Sequence, residues 1–165
     1  MTRLAIALGD PAGIGAEVVL KALAHRPSLN PLLVGCRQWL QASYEQLLPR
    51  CHEPLADPSQ LEIVDEPLTE AIAPGSISAA AGAASFTWLT RATEAVLDGR
   101  AQALVTAPIA KTAWHQAGHH YPGQTERLAE LCGCDDAAML FTARSPQSGW
   151  RFNTLLATTH IPLSS

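Results

Sequence analysis

Short apolar runs alternate along this chain with stretches in which apolar residues return every three or four positions. "RLAIAL" (3–8) is an apolar run closed by the turn residues Gly9, Asp10 and Pro11, which predicts a strand and a loop. In "GAEVVLKALAH" behind it, Val18, Val19, Ala22 and Leu23 have helical spacing. "PLLVG" (31–35) and "CRQWLQASYEQLL" (36–48) repeat the unit, with Trp39, Leu40, Tyr44 and Leu47 on one side of the helix. "LEIV" (61–64) predicts a third strand. From Ala79 to Gly99 a stripe of Phe86, Leu89, Ala92 and Val96 predicts a helix that Gly99 is placed to end, and "AQALVTAP" (101–108) predicts a fourth strand. Lys111 to His115 and Thr125 to Cys132 predict short helices around the turn-rich "GHHYPG", followed by two strands in "AAMLFTA" and "RFNTLLATTH". Strands taking turns with helices predict an α/β fold with a mainly parallel sheet and flanking helices.

The length of 165 residues fits one domain with a real core and is short for two. With 47% hydrophobic and 16% charged residues, the composition is that of a folded globular protein. A net charge of −4 without any Lys/Arg cluster argues against nucleic acid and anionic membranes as partners, and leaves a small polar or anionic metabolite. The uncharged stretch from Ala71 to Thr90 is too rich in Ala, Gly and Ser for a membrane span and reads as a linker running into a helix. Four cysteines in a chain without a secretory start predict a cytoplasmic protein with reduced thiols.

Ligands in open α/β sheets gather outside the carboxyl ends of the strands, which directs attention to three loops. In "GDPAGIGAE" (9–17), Gly13 and Gly15 permit close backbone approach, and the helix start behind them offers N–H groups to an anion. The third glycine of a dinucleotide fingerprint and the Gly-Lys-Ser/Thr of a Walker A loop are both missing, so a tight turn capping the helix is the plainer reading. In "TAPIAKTAWHQAG" (106–118), Lys111 either holds a carboxylate or phosphate, or acts in proton transfer if partly desolvated, or is a solvated helix lysine. In "GQTERLAEL" (123–131), Gln124 and Thr125 are either ligand contacts or helix caps, with Glu126 favourable in the first turn.

His160, at the carboxyl end of the last predicted strand, is a candidate ligand for a divalent metal, although such a site takes about three protein ligands. The spacing of His115 with His119 or His120 resembles a helical metal pair, but Gly118 interrupts the helix between them. Cys132-Gly133-Cys134 lacks the two-residue gap of a zinc knuckle and reads as structural thiols.

Taken together, "GDPAGIGAEVVLKAL", "ALVTAPIAK", "GQTERLAEL" and "LLATTHIPL" resemble, in order and spacing, the N-terminal half of the 4-hydroxythreonine-4-phosphate dehydrogenase family, from about Leu4 to Leu163. The resemblance implies NAD-dependent oxidation of a secondary alcohol with decarboxylation, in pyridoxal 5'-phosphate (vitamin B6) biosynthesis. It implies a divalent metal (zinc, cobalt, nickel, manganese or magnesium), a small phosphorylated amino-acid substrate, and a homodimer for the full-length protein. The implied fold is similar to that of isocitrate and isopropylmalate dehydrogenases, with residues 1–165 as the N-terminal half of a two-lobed structure that lacks a complete second lobe.

By position, the resemblance makes His160 the first of three metal histidines and puts Gln124 and Thr125 where the family carries a substrate-contacting histidine-threonine pair. Gln124 departs from that pattern, because glutamine hydrogen-bonds but cannot carry a proton. Lys111 is the weaker catalytic candidate, and Asp10, Gly13 and Gly15 are the weaker cofactor contacts. Family members are about twice as long, so the isolated chain is expected to be inactive, to expose apolar faces and sheet edges, and to aggregate or seek a partner. The alternatives are a truncated or binding-only product and a related dehydrogenase acting on a cis-dihydrodiol.

Overall fold

The computed structural model describes residues 2–135 and 137–158, and the chain divides into two units, Met1–Tyr121 and Pro122–Ser165. The first is built on a sheet of β1 (Leu4–Ala7), β2 (Leu32–Gly35), β3 (Glu62–Asp65) and β4 (Ala103–Thr106). All pairings are parallel, in the order β3-β2-β1-β4. β1 and β2 read as unbroken apolar runs because both of their faces are covered, and Ala5, Leu32, Leu33 and Val34 are fully buried. The edge strands carry the exceptions, Glu62 and Asp65 on β3 and a half-exposed Val105 on β4.

Helix α1 (Gly15–Ala24) buries Ala16, Val19, Leu20 and Leu23, an i, i+3, i+4, i+7 stripe. The sequence pattern had pointed Val18 and Ala22 inward with Val19 and Leu23, but both are exposed. The observed rotation puts Leu20 wholly inside, which removes more apolar surface from water than Val18 and Ala22 would. On the outer side Lys21 holds Glu17 at 2.8 Å, and that hydrogen bond raises the lysine pKa. Helix α2 (Arg37–Leu47) buries Leu40 fully, with Trp39, Tyr44 and Leu47 half-buried. Its N-terminus is capped by the buried Cys36, whose Sγ accepts from the Trp39 N–H at 3.4 Å.

Helix α3 (Ala79–Leu97) begins where the Ser78 hydroxyl accepts the Ala81 N–H at 3.2 Å. It ends, as the sequence predicts, at Gly99 with φ +76. Its buried face is wider than the predicted stripe and runs through Ala81, Gly82, Ser85, Trp88, Leu89, Ala92, Thr93 and Ala95, which leaves Phe86 and Val96 at its margins. The small residues let helix α4 (Lys111–Gln116) come close: a Cβ on Gly82 would lie 2.0 Å from the Ala113 carbonyl oxygen. The buried Trp114 closes the contact by donating from Nε1 to Ser85 Oγ at 2.8 Å, and that hydroxyl donates onward to the Gly82 carbonyl at 3.0 Å.

The second unit holds α5 (Gln124–Leu131) and an antiparallel hairpin of β5 (Leu140–Arg144) and β6 (Arg151–Leu155). Residues 145–150 between the strands are too few for the crossover a parallel pair needs, so the parallel arrangement stops with the first unit. Phe141, Trp150 and Phe152 are 53%, 64% and 48% exposed. Among the described residues no helix is long and apolar enough to cross a membrane.

Because Gly82 faces backbone rather than a flexible side chain, Gly82→Ala is expected to destabilise the chain by about 1–3 kcal/mol through overpacking. Urea unfolding followed by tryptophan fluorescence measures this, and an unchanged midpoint would show that α3 and α4 can move apart without loss.

Candidate functional site

The strand order turns back between β1 and β4, since successive strands build outward on one side of β1 and then jump to the other. Such a reversal opens a crevice at the carboxyl ends of the two strands, where ligands bind in open α/β sheets. Two of the three loops singled out from the sequence leave the sheet there, and the Asp10 N–H donates to the Pro108 carbonyl at 2.9 Å.

The first loop is tightly packed on itself. Gly9 has φ +73, and a Cβ on it would lie 2.4 Å from the Pro108 oxygen. The Asp10 side chain, 7% exposed, accepts the Ala12 N–H at 2.8 Å, while its backbone carbonyl accepts the Gly13 N–H at 2.9 Å. Gly15 starts α1 with its Cα face against the Leu8 carbonyl, where a Cβ would stand 2.1 Å from the oxygen. Two other segments lie against the loop: the Gly75 N–H donates to the Ala12 carbonyl at 2.7 Å and Trp39 Nε1 to that of Pro11 at 3.1 Å. The hollow beside Gly13, about 170 Å³ and lined in part by Pro11, Glu17 and Trp39, is well below the roughly 300 Å³ of small-ligand sites. The Asp10, Ala12 and Gly13 N–H groups are spent within and beside the turn, and the faces of Gly9 and Gly15 are filled by backbone, whereas the first turn of α1 has no side-chain cap.

Lys111 opens α4 directly after the second loop, exposed and without an ion pair among the described residues. It is the cation nearest in sequence to the carboxyl end of β4.

In the second unit, α5 begins at Gln124, and its N-cap is Gly123, without a side-chain hydrogen bond. Neither Gln124 nor Thr125 caps the helix, which removes the structural alternative left open by the sequence. Both are half-buried, and among the described residues Gln124 Oε1 is a buried acceptor with no hydrogen-bond partner, as is Glu126 Oε2. An orphaned buried acceptor costs about 1–3 kcal/mol unless a donor reaches it. Thr125 also lines a groove of about 440 Å³ with Glu126, Glu130, Cys134 and Asp135. That rim is acidic and repels a phosphate.

His160 lies outside the described residues, and among those described no group of three or more His, Cys, Asp or Glu is placed to hold a metal ion. The described residues on their own therefore do not fit the implied metal centre. A polar groove of about 690 Å³ was missed from the sequence; Arg37, Gln41, Glu45, Ser59 and Asp65 are among the residues that line it. The position of Asp65 at the end of β3 and of Arg37 just past β2 was the available signal. Both are engaged in structure, however: the Arg37 N–H donates to Asp65 Oδ1 at 2.8 Å, and its guanidinium to the Ile63 carbonyl at 3.2 Å.

The fold of the first unit is that of an α/β protein with a parallel sheet, flanking helices and a crevice at its switch point. The profile of the family described as "Pyridoxal phosphate biosynthetic protein PdxA" matches residues 27–165, and the chain belongs to that family. It is 98% identical over 165 residues to a 4-hydroxythreonine-4-phosphate dehydrogenase of Synechococcus sp. (strain RCC307), covering all of this chain and 50% of the relative. A crystal structure of 4-hydroxythreonine-4-phosphate dehydrogenase from Klebsiella pneumoniae matches with a TM-score of 0.81 at 33% identity, over 99% of this chain and 52% of that one. A terephthalate 1,2-cis-dihydrodiol dehydrogenase from Burkholderia xenovorans LB400 matches with a TM-score of 0.61 at 31% identity, over 81% and 41%. The chain thus spans about half the length of the curated relatives it matches.

The packing at β1 separates the loop's two glycines. Gly15→Ala is expected to unfold the chain or cost several times more stability than Gly13→Ala, whose Cβ would meet only the Asp10 carbonyl at 3.3 Å. Asp10→Ala, which removes the turn's side-chain acceptor, is expected to cost about 1 kcal/mol. Thermal and urea melts of the three variants check both; equal effects of the two glycine changes would contradict the packing argument.

Proposed function

We propose that this chain is the substrate-positioning, N-terminal half of a 4-hydroxy-L-threonine 4-phosphate dehydrogenase, a cytoplasmic enzyme of pyridoxal phosphate synthesis. The observation that carries the reading is Gln124: a buried amide oxygen with no donor, on the helix where the family's substrate contacts fall. The ammonium and hydroxyl groups of a hydroxylated amino acid are such donors. A hydrogen bond from one of them would remove the cost of the orphaned acceptor and fix the carbon skeleton for oxidation at one alcohol. Thr125, one residue on, adds a hydroxyl that donates and accepts. Since glutamine holds no transferable proton, the residue orients substrate, and acid-base work falls to another group. In the first unit, Lys111 at the start of α4 is an exposed cation able to hold a carboxylate or phosphate.

The complete enzyme takes a divalent metal, for which His160 is this chain's ligand, and NAD as hydride acceptor. In this reading Asp10, Gly13 and Gly15 serve the turn at β1 instead of a cofactor. The fold of the whole is of the isocitrate dehydrogenase type, and its working form is a homodimer. Support for a covered second unit comes from Phe141, Trp150 and Phe152, alternate residues that lie exposed on one face of the hairpin, since monomers seldom leave apolar patches of that size wet. A second reading, oxidation of a cis-dihydrodiol, is favoured by the neutral Gln124 and by the likeness to the Burkholderia structure.

Given substrate, NAD and a divalent metal, the 165-residue chain alone is expected to produce no absorbance of reduced cofactor; sustained turnover would contradict the assignment of this chain as one half of a site. When the chain is continued by the second half of the Synechococcus relative, Gln124→Leu is expected to lower kcat/KM for the phosphorylated substrate about tenfold, the cost of one lost hydrogen bond. Unchanged kcat/KM, or faster oxidation of a cis-dihydrodiol by the unsubstituted enzyme, would favour the second reading.

A further inference from the structure

The histidines of "WHQAGHHY" are absorbed by none of this chemistry. From the sequence, Gly118 counted against a metal pair because it breaks the helix between His115 and either partner. The structure turns that objection around. Gly118, at φ +87, forms a reversal in which its N–H donates to the His115 carbonyl at 3.0 Å and the His119 N–H to that of Trp114 at 2.9 Å. This double bond pattern ends a helix and folds the following residues back over its last turn. It brings the His120 ring to 5.5 Å from that of His115, centre to centre, at 46°.

That spacing is what a chelate needs. Two imidazole nitrogens each about 2.1 Å from one ion, at a roughly tetrahedral angle, put their ring centres about 5 Å apart. The loop is also held before any ion arrives. On one side of His120, His119 stacks on Phe86 with ring centres 3.6 Å apart at 3°. On the other side, Tyr121 packs against Phe86 and Trp114, at 5.6 Å and 6.4 Å. Finally, His115 Nε2–H donates to the Tyr121 carbonyl at 3.3 Å. Metal-binding histidines characteristically give one N–H to such an acceptor, which fixes the tautomer and leaves the other nitrogen's lone pair for the ion.

We propose that His115 and His120 form a two-histidine chelate for a divalent transition-metal ion, with neither Gln124 nor His160 among its ligands. Both side chains are exposed, so the remaining coordination positions are open to water or to a donor from a ligand or second protein. Imidazole donors select nickel, copper or zinc over magnesium and calcium.

The test is a calorimetric titration of the 165-residue chain with Ni²⁺, with thiols held reduced. One equivalent is expected to bind, with at least tenfold weaker affinity in His115→Ala and in His120→Ala, and with the affinity retained in His119→Ala, His160→Ala and Cys132→Ser/Cys134→Ser. In the unsubstituted chain, paramagnetic Ni²⁺ is expected to broaden the imidazole proton resonances of His115 and His120 first, a readout that needs no variant to fold. Absence of binding, binding indifferent to both substitutions, or binding lost with His160 or the cysteine pair would each overturn the proposal.

Discussion

The crevice at the carboxyl end of β1 depends on how tightly the first unit closes around Leu8, the fully buried residue just past that strand. Three glycines surround it. A Cβ on Gly15 would strike the Leu8 carbonyl, one on Gly35 would stand 2.5 Å from a Leu8 methyl, and one on Gly9 would strike the neighbouring Pro108 carbonyl. Interiors pack at crystal-like density, so such contacts leave no room for even one methyl group. The absence of those three side chains lets α1 start against the strand, β2 lie alongside, and the loop from β4 reach the Asp10 N–H.

From that closure the positions of the outer parts follow. β1 is an inner strand of the sheet, with β2 on one side and β4 on the other, so the order reverses beside it and the crevice falls at its carboxyl end. Tryptophans then fasten the loops around the crevice by donating from indole nitrogens to backbone: Trp39 to Pro11, and Trp88 to Glu66 at 3.1 Å. The two indoles also contact each other, at 5.4 Å between ring centres, so the loops behind β1 and β3 share one aromatic anchor. A scaffold of this kind presents polar groups at fixed places while the residues that hold it stay apolar.

The parallel sheet and most of its helices were legible because they rest on periodicity, which sequence displays directly. The errors came where two arrangements bury similar residues. Val18 and Leu20 compete for the inner side of α1, and only packing against the sheet decides for Leu20. The last two strands were recognised individually, but their antiparallel pairing is set by the short connection at 145–150. Gly13 and Gly15 read first as a tight turn and second as a ligand contact, and the packing of Gly15 was hidden because its contacts come from Leu8 and from Ala107, ninety-two residues further along the chain. Gly118 was legible as a helix end but not as a reversal, since direction after a helix depends on backbone bonds. A substrate role for α5 rests on resemblance, and what the structure adds is that Gln124 Oε1 has no hydrogen-bond partner among the described residues. His160, which resemblance alone marks as a metal ligand, falls outside the described residues.

In the proposed reading the glycine-rich turn packs α1 against β1 and does not by itself cradle a cofactor. Equilibrium binding of NAD to the folded 165-residue chain, followed by isothermal titration calorimetry, tests that claim most directly. No saturable heat is expected up to millimolar NAD. Saturable binding in the micromolar range, weakened by Gly13→Ala in a chain that remains folded, would contradict it and return the turn to the cofactor site.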